Sequence, residues 1–214
     1  MKKIFIAITA LTMSVSAVVS QTTTYDTASS MKFGFKIGAN VSNVYDAQGE
    51  QFNANPKLGL AGGVFLFVPV GNFLGVQPEI LFSQKGYQSS GSLLGVDYIY
   101  MHTSNHIDVP ILFAFKPVPE LKILLGPQYS FLISEKNTFT NTLFSNPLIQ
   151  ETDFDNSNVR KNTLGFVFGG DLSLGRFVVG LRTGWDVINN NGDGTTTVPR
   201  YKNMYYQGTV GFVL

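Results

Sequence analysis

The segment HTSNHID, residues 102–108, places His102, Ser104, His106 and Asp108 on alternate positions. A nucleophile, a base and an acid are the ingredients of acyl transfer, which needs the base about 2.6–3.2 Å from the nucleophile. Same-face neighbours along one extended segment are about 7 Å apart. A triad would therefore need partners from other segments, and the simpler reading is a set of polar residues at an outer rim. Two isolated histidines without helical or close-turn spacing also make a poor metal pair. The chain has no Cys, which removes thiolate nucleophiles, thiolate metal sites and disulfides. No catalytic, metal-binding or cofactor-binding residue is assigned, and no cofactor is expected.

A second polar pattern lies in NFLGVQPEILFSQKG, residues 72–86, where Gln77, Glu79, Ser83 and Lys85 alternate with Leu74, Val76, Ile80 and Phe82. A carboxylate in so apolar a segment must face bulk water, an internal partner or a cavity, because burying it unpaired costs several kcal/mol.

Composition narrows the setting. Charged residues are 14% of the 214, against roughly 25% in an ordinary soluble domain, while hydrophobic residues reach 44% and Gly numbers 22. That is little charge for a cytosolic surface. A net charge of +1 without a basic stripe argues against a nucleic-acid partner. MKKIFIAITALTMSVSAVVS, residues 1–20, has Lys2 and Lys3 before an apolar run and then small residues, which predicts a secretory signal peptide. No Cys follows for a lipoprotein anchor, and residues 21–31 read as a flexible lead-in.

From residue 32 to 214 the dominant period is two. In KFGFKIGANVSN, Phe33, Phe35, Ile37, Ala39 and Val41 take one face and Gly34, Lys36, Gly38, Asn40 and Ser42 the other, as a strand requires. Seven further segments, near 57–68, 73–84, 102–116, 120–134, 161–173, 176–188 and 203–214, raise the count to eight strands. The links PVGN, PVPE and SLGR are tight hairpins, whereas those near 43–56, 85–101, 135–160 and 189–202 are long and polar. Strict alternation of short and long links predicts an all-β, eight-stranded, antiparallel, up-and-down transmembrane β-barrel.

One face of these strands, including Val76, Ile80, Phe82, Ile111, Phe113, Phe168, Val179 and Leu181, is apolar; the other carries Lys36, Gln77, Glu79, Asp108, Lys116, Lys122, Gln128, Asp171, Arg182, Asp186 and Gln207. A soluble lipocalin-like carrier would turn the apolar face inward and leave an exterior unusually poor in charge. Apolar-out, polar-in suits the outer membrane. Eight strands leave an interior that side chains nearly fill, so a pore is not expected. The inward set Lys36, Gln77, Glu79, Asp108, Arg182 and Asp186 then forms a lumen polar network. Glu79 and Asp108 on neighbouring strands would repel without a cation, and Arg182, helped by Lys36, is the expected partner of both. Gly59, Ala61 and Gly63 are placed inward to leave room for long side chains. Pro78, Pro110 and Pro127 require bulges or missing ladder bonds. Tyr129, Trp185 and Tyr206 fall on the lipid phase near strand ends, as an interfacial belt requires.

The segments GFKIGANVS, QPEILFSQKG, IDVPILF and LLGPQYSF, in that order on strands one, three, four and five, resemble the outer-membrane β-barrel family abundant in Bacteroidota, to which PorT-like proteins belong. The resemblance covers residues 32–214 and implies an eight-stranded barrel of the OmpA/OmpX kind, mostly without established biochemical activity. Asp108 stands where such proteins often carry Glu, and Leu214 ends the chain where an aromatic is common. The expected function is envelope structure, adhesion, or docking with secretion or surface machinery. Its implied partners are the outer-membrane bilayer, the insertion machinery and an unidentified envelope or secretion protein. The alternatives are a lipid-modifying outer-membrane enzyme and a periplasmic carrier.

Overall fold

The computed structural model describes residues 30–48, 54–93, 96–141, 148–151, 160–191 and 200–214. The expected signal peptide, and the lead-in up to residue 29, lie outside the described residues. Nine strands occur among those described: β1 (Lys32–Gln48), β2 (Asn55–Pro69), β3 (Leu74–Leu93), β4 (Val96–Val118), β5 (Leu121–Asn141), β6 (Leu148–Glu151), β7 (Asn162–Leu174), β8 (Phe177–Asp186) and β9 (Arg200–Val213). Eight of them follow the order β4-β3-β2-β1-β9-β8-β7-β5, and a β4–β5 pairing closes the ring. Every ring contact is antiparallel. Closure leaves no open edge in the barrel wall, as a bilayer demands.

The eight expected strands are the eight of the ring. β6 is the addition: four residues that pair with the far end of β5, from Lys136↔Glu151 to Phe139↔Leu148. Of the links read as loops, that near 85–101 is largely strand and that near 135–160 partly so. β3 and β4 stay paired out to Leu93↔Val96, and β5 runs on to Asn141 beside β4. Beyond the apolar band the side chains become Ser, Thr, Asn and Tyr, so the hydrophobic alternation that marks a half-buried strand disappears while the backbone ladder continues.

At the short-turn end β2 and β3 are joined by residues 70–73, with Val70 and Gly71 amides donating to the Leu74 carbonyl. Leu174↔Phe177 closes a two-residue hairpin in which Gly175 has φ +65°, a left-handed conformation that glycine adopts without a Cβ penalty. The prolines sit where the ladder allows them. Bridges lapse beside Pro78, between Phe65↔Glu79 and Val68↔Val76, and beside Pro110, between Pro110↔Gln128 and Phe113↔Leu125. Pro127 falls in that same β4–β5 lapse, between Gln128 and Leu125, while its register with β7 is unbroken.

The faces are inverted relative to a water-soluble domain. Ile37, Leu58, Leu60, Ile80, Phe113, Phe168, Leu181 and Val210 are exposed, whereas Lys36, Glu79, Lys85, Asp108, Asp171 and Arg182 are buried. Gly59 and Ala61 turn inward beneath exposed Leu58 and Leu60, and Gly63 stands opposite Lys36. A Cβ at Gly63 would collide with the Ile80 carbonyl of β3, so this crossing is tight as well as roomy for the lysine. Tyr129 and Tyr206 are exposed on the outer face, with Trp185 packed against Phe166 at a centroid distance of 5.7 Å.

Candidate functional site

The lumen carries two regions of different character. The first is centred on Glu79 of β3. Arg182 of β8 donates to both carboxylate oxygens, Nη1 to Oε2 at 2.7 Å and Nη2 to Oε1 at 3.3 Å, while Lys36 of β1 donates to Oε1 at 2.9 Å. Gln77 Nε2 donates to the same Oε1 at 2.7 Å and to Asp171 Oδ2 at 3.1 Å. Arg182 Nη2 also reaches Asp171 Oδ1 at 3.3 Å, and Lys36 and Lys122 stand 3.8 and 3.7 Å from Asp171 Oδ2. Lys122 Nζ donates to Gln77 Oε1 at 2.8 Å. Three cations thus surround two carboxylates. The surplus positive charge meets aromatic faces, with Lys36 4.7 Å from the Phe65 centroid and Lys122 5.2 Å from that of Phe67. Arg182 Nε and Gln207 Oε1 have no direct partner, but they belong to a directly paired couple of residues, and one bridging water would serve both.

Asp108 is placed differently from the expectation. Its partner is Lys85, whose Nζ lies 3.1 Å from each carboxylate oxygen and also donates to Ser130 Oγ at 3.3 Å. Asp108 pairs across with Leu81, one inward step past Glu79 toward the long-link end, and Lys85, which pairs with Ser104, reaches back along the lumen to it. Asp186, the remaining expected member, accepts from Asn203 Nδ2 at 2.8 Å. Lys36, Gln77, Glu79 and Arg182 are therefore brought together, while Asp108 and Asp186 belong to separate contacts further along the lumen. Toward the short-turn end Phe67, Leu112, Ala114, Leu124 and Val167 form a buried apolar layer that fills the interior with side chains.

The second region is a pocket of about 60 Å³ at the long-link end, lined by His102, Ser104, His106, Leu132, Glu135, Arg160, Thr163, Asn190, Tyr201 and Asn203. His102, Ser104 and His106 are buried and face inward, not exposed on a rim. His102 Nδ1 is 2.8 Å from Asn137 Oδ1 and 3.3 Å from Glu135 Oε1, and its Nε2 is 3.3 Å from the Tyr201 hydroxyl. Tyr87 stacks on its ring at 5.0 Å. Glu135 reaches this position through a β-bulge. The β4–β5 register changes between Asn105↔Ser134 and His106↔Leu132, leaving Ile133 as the extra residue. Below it Gln128, Ser130 and Leu132 face inward; above it the inward phase switches to Glu135 and Asn137. Bulges re-aim side chains in this manner beside functional sites. The sequence signal is the run Phe131, Leu132, Ile133, three apolar residues that break the alternation.

Ser104 lies two residues from each histidine on one strand face, and what it offers the His106 ring is its backbone, not its hydroxyl. Among the described residues no group of three or more His, Cys, Asp or Glu is arranged to hold a metal.

The attachment invasion locus protein Ail of Yersinia pestis, solved in complex with the heparin analogue sucrose octasulfate, superposes with a TM-score of 0.50 at 14% identity over 86% of this chain and 99% of its own. Neisserial surface protein A gives 0.43 at 13% identity over 84% and 96%, and OprG of Pseudomonas aeruginosa 0.41 at 10% over 88% and 99%. No curated protein sequence matches. Residues 19–190 match the outer membrane protein beta-barrel domain. With most of its length inside that match and an eight-stranded ring turned apolar side out, the chain belongs to the outer membrane protein beta-barrel domain family and resides in the outer membrane.

Proposed function

We propose that this protein is a non-enzymatic structural or interaction barrel, with short turns in the periplasm and long links outside, serving envelope integrity, adhesion or docking with secretion or surface machinery. The observation that carries the reading is the filled lumen. A two-carboxylate, three-cation network stacked on an apolar layer leaves the interior occupied by side chains, while the β3–β4–β5 arm extends past the apolar band at the opposite end. Such a barrel is a rigid platform for what projects from it. Within these readings, docking with secretion or surface machinery is suggested only by the PorT-like resemblance of the first, third, fourth and fifth strands, and the insertion machinery is its assembly partner. The mature chain is taken to begin near Gln21.

Three experiments test this. Purified protein in planar bilayers should give no stable conductance, and loss of the protein should leave lipid A composition and phospholipase activity unchanged. An epitope at Asn190 should be labelled on intact cells; labelling only after lysis would reverse the topology. An altered lipid A profile would favour the enzyme reading.

A further inference from the structure

At the long-link end two buried polar groups of the lumen stand without a partner beside a cavity. His106 Nδ1 on β4 and Thr163 Oγ1 on β7 have no hydrogen-bond partner although each residue is only 6% exposed. Both line the same pocket, together with Ser104, Glu135, Tyr201 and Asn203. A buried polar group without a partner is unfavourable, and two that line one pocket state what would fit between them. An imidazole nitrogen donates or accepts according to tautomer, and a hydroxyl does both. Hydrogen bonding alone therefore admits an anion as well as a hydroxyl, but the lining sets the Glu135 carboxylate against an anion and the Arg160 guanidinium against a cation, so a neutral hydroxyl is the match for both groups.

The rest of the lining narrows the ligand further. The pocket's 60 Å³ is room for about four or five waters, or for the polar edge of one sugar ring, since a water needs about 10–15 Å³. One side is apolar: Leu132 and the ring of Tyr201, which stands edge-on to Tyr87 at 5.6 Å. Hydroxyls on one edge and C–H groups on the other are the chemistry of a pyranose. The β5 bulge adds the remaining element, because it turns the Glu135 carboxylate inward where a regular strand would place Ser134.

We propose that this mouth pocket binds a single hydroxyl-rich sugar ring, the terminal residue of a glycan. Its source as an external glycan rests on the outward orientation proposed above; the binding itself does not. The test uses the full-length protein in detergent micelles free of lipopolysaccharide. Methyl glycosides of glucose, galactose, mannose and N-acetylglucosamine are titrated while the His106 ring and Thr163 methyl signals are followed by NMR. At least one glycoside should give a saturable shift with a Kd on the order of 1 mM, weakened at least about tenfold in Thr163→Val and in His106→Leu. Inorganic phosphate and glycine should give none. Oligosaccharide released from the cell's own lipopolysaccharide, against mannan fragments, separates an own-surface from a foreign source. Binding of either at this pocket supports the assignment. Three results would overturn it: silence from every glycoside, binding that survives both substitutions while the barrels remain folded, or saturation by phosphate or glycine instead. Glycoside binding in micelles combined with Asn190 labelling only after lysis would keep the pocket and reverse the topology.

Discussion

The Glu79 network and the mouth pocket lie on the same ring of strands, yet they differ in residue types and in how their polar groups are met. Around Glu79 every carboxylate oxygen meets a cation or an amide, and the surrounding space is closed by Phe65 and Phe67. At the mouth a regular ladder is broken by a bulge, aromatic rings replace ion pairs, and His106 and Thr163 are left with open hydrogen-bonding capacity. A closed buried network contributes to one defined structure, and an open one beside a cavity is shaped for something else.

The sharpest way to break this comparison is to remove Glu79. Glu79→Gln leaves Arg182 and Lys36 buried with only Asp171 to share, and removing one partner of a buried pair costs about 3–5 kcal/mol. Urea unfolding of the barrel in lipid vesicles reads that loss. A smaller effect is expected at Gly63, where the Cβ of Gly63→Ala meets the Ile80 carbonyl and forces β2 from β3; such overpacking costs about 1–3 kcal/mol by the same assay. Val76→Ala on the lipid face should cost less than about 1 kcal/mol, because the residue loses contact with lipid and not with a packed core. Thr163→Val should be the mildest, within about 0.5 kcal/mol of neutral, since it deletes a hydroxyl that has no partner. A loss at Thr163 as large as that at Glu79 would erase the distinction between the two regions.

Much of the ring is legible in the residues themselves. Period-two alternation gives the inward face of Glu79, Lys36 and Arg182 without any knowledge of neighbours, and the alternation of PVGN, PVPE and SLGR with long polar links gives the closed up-and-down order. What alternation does not carry is register. Asp108 sits on Lys85, not on Arg182, because Asp108 pairs with Leu81, and a shift of one inward step along a tilted strand changes the partner. Asp171 and Lys122 were visible as inward residues, but their joint hold on Gln77 depends on β5 lying beside β7 at Lys122↔Asp171. The mouth is harder still. The β3–β4 arm lacks hydrophobic contrast, and unbroken alternation from Gln128 places Ser134 inward and Glu135 outward, which only the Ile133 bulge reverses.

The central claim is that Glu79 and Arg182 form a lumenal pair that holds the barrel together, and a double-mutant cycle tests it most directly. Stability is measured for Glu79→Gln, Arg182→Met and the double substitution in one lipid system, with Val76→Ala as the outer-face control. The account predicts that the double variant recovers part of the loss, with a coupling of about 1–3 kcal/mol between positions joined by two hydrogen bonds. A coupling below about 0.5 kcal/mol, or a larger penalty at Val76 than at Glu79, would contradict it.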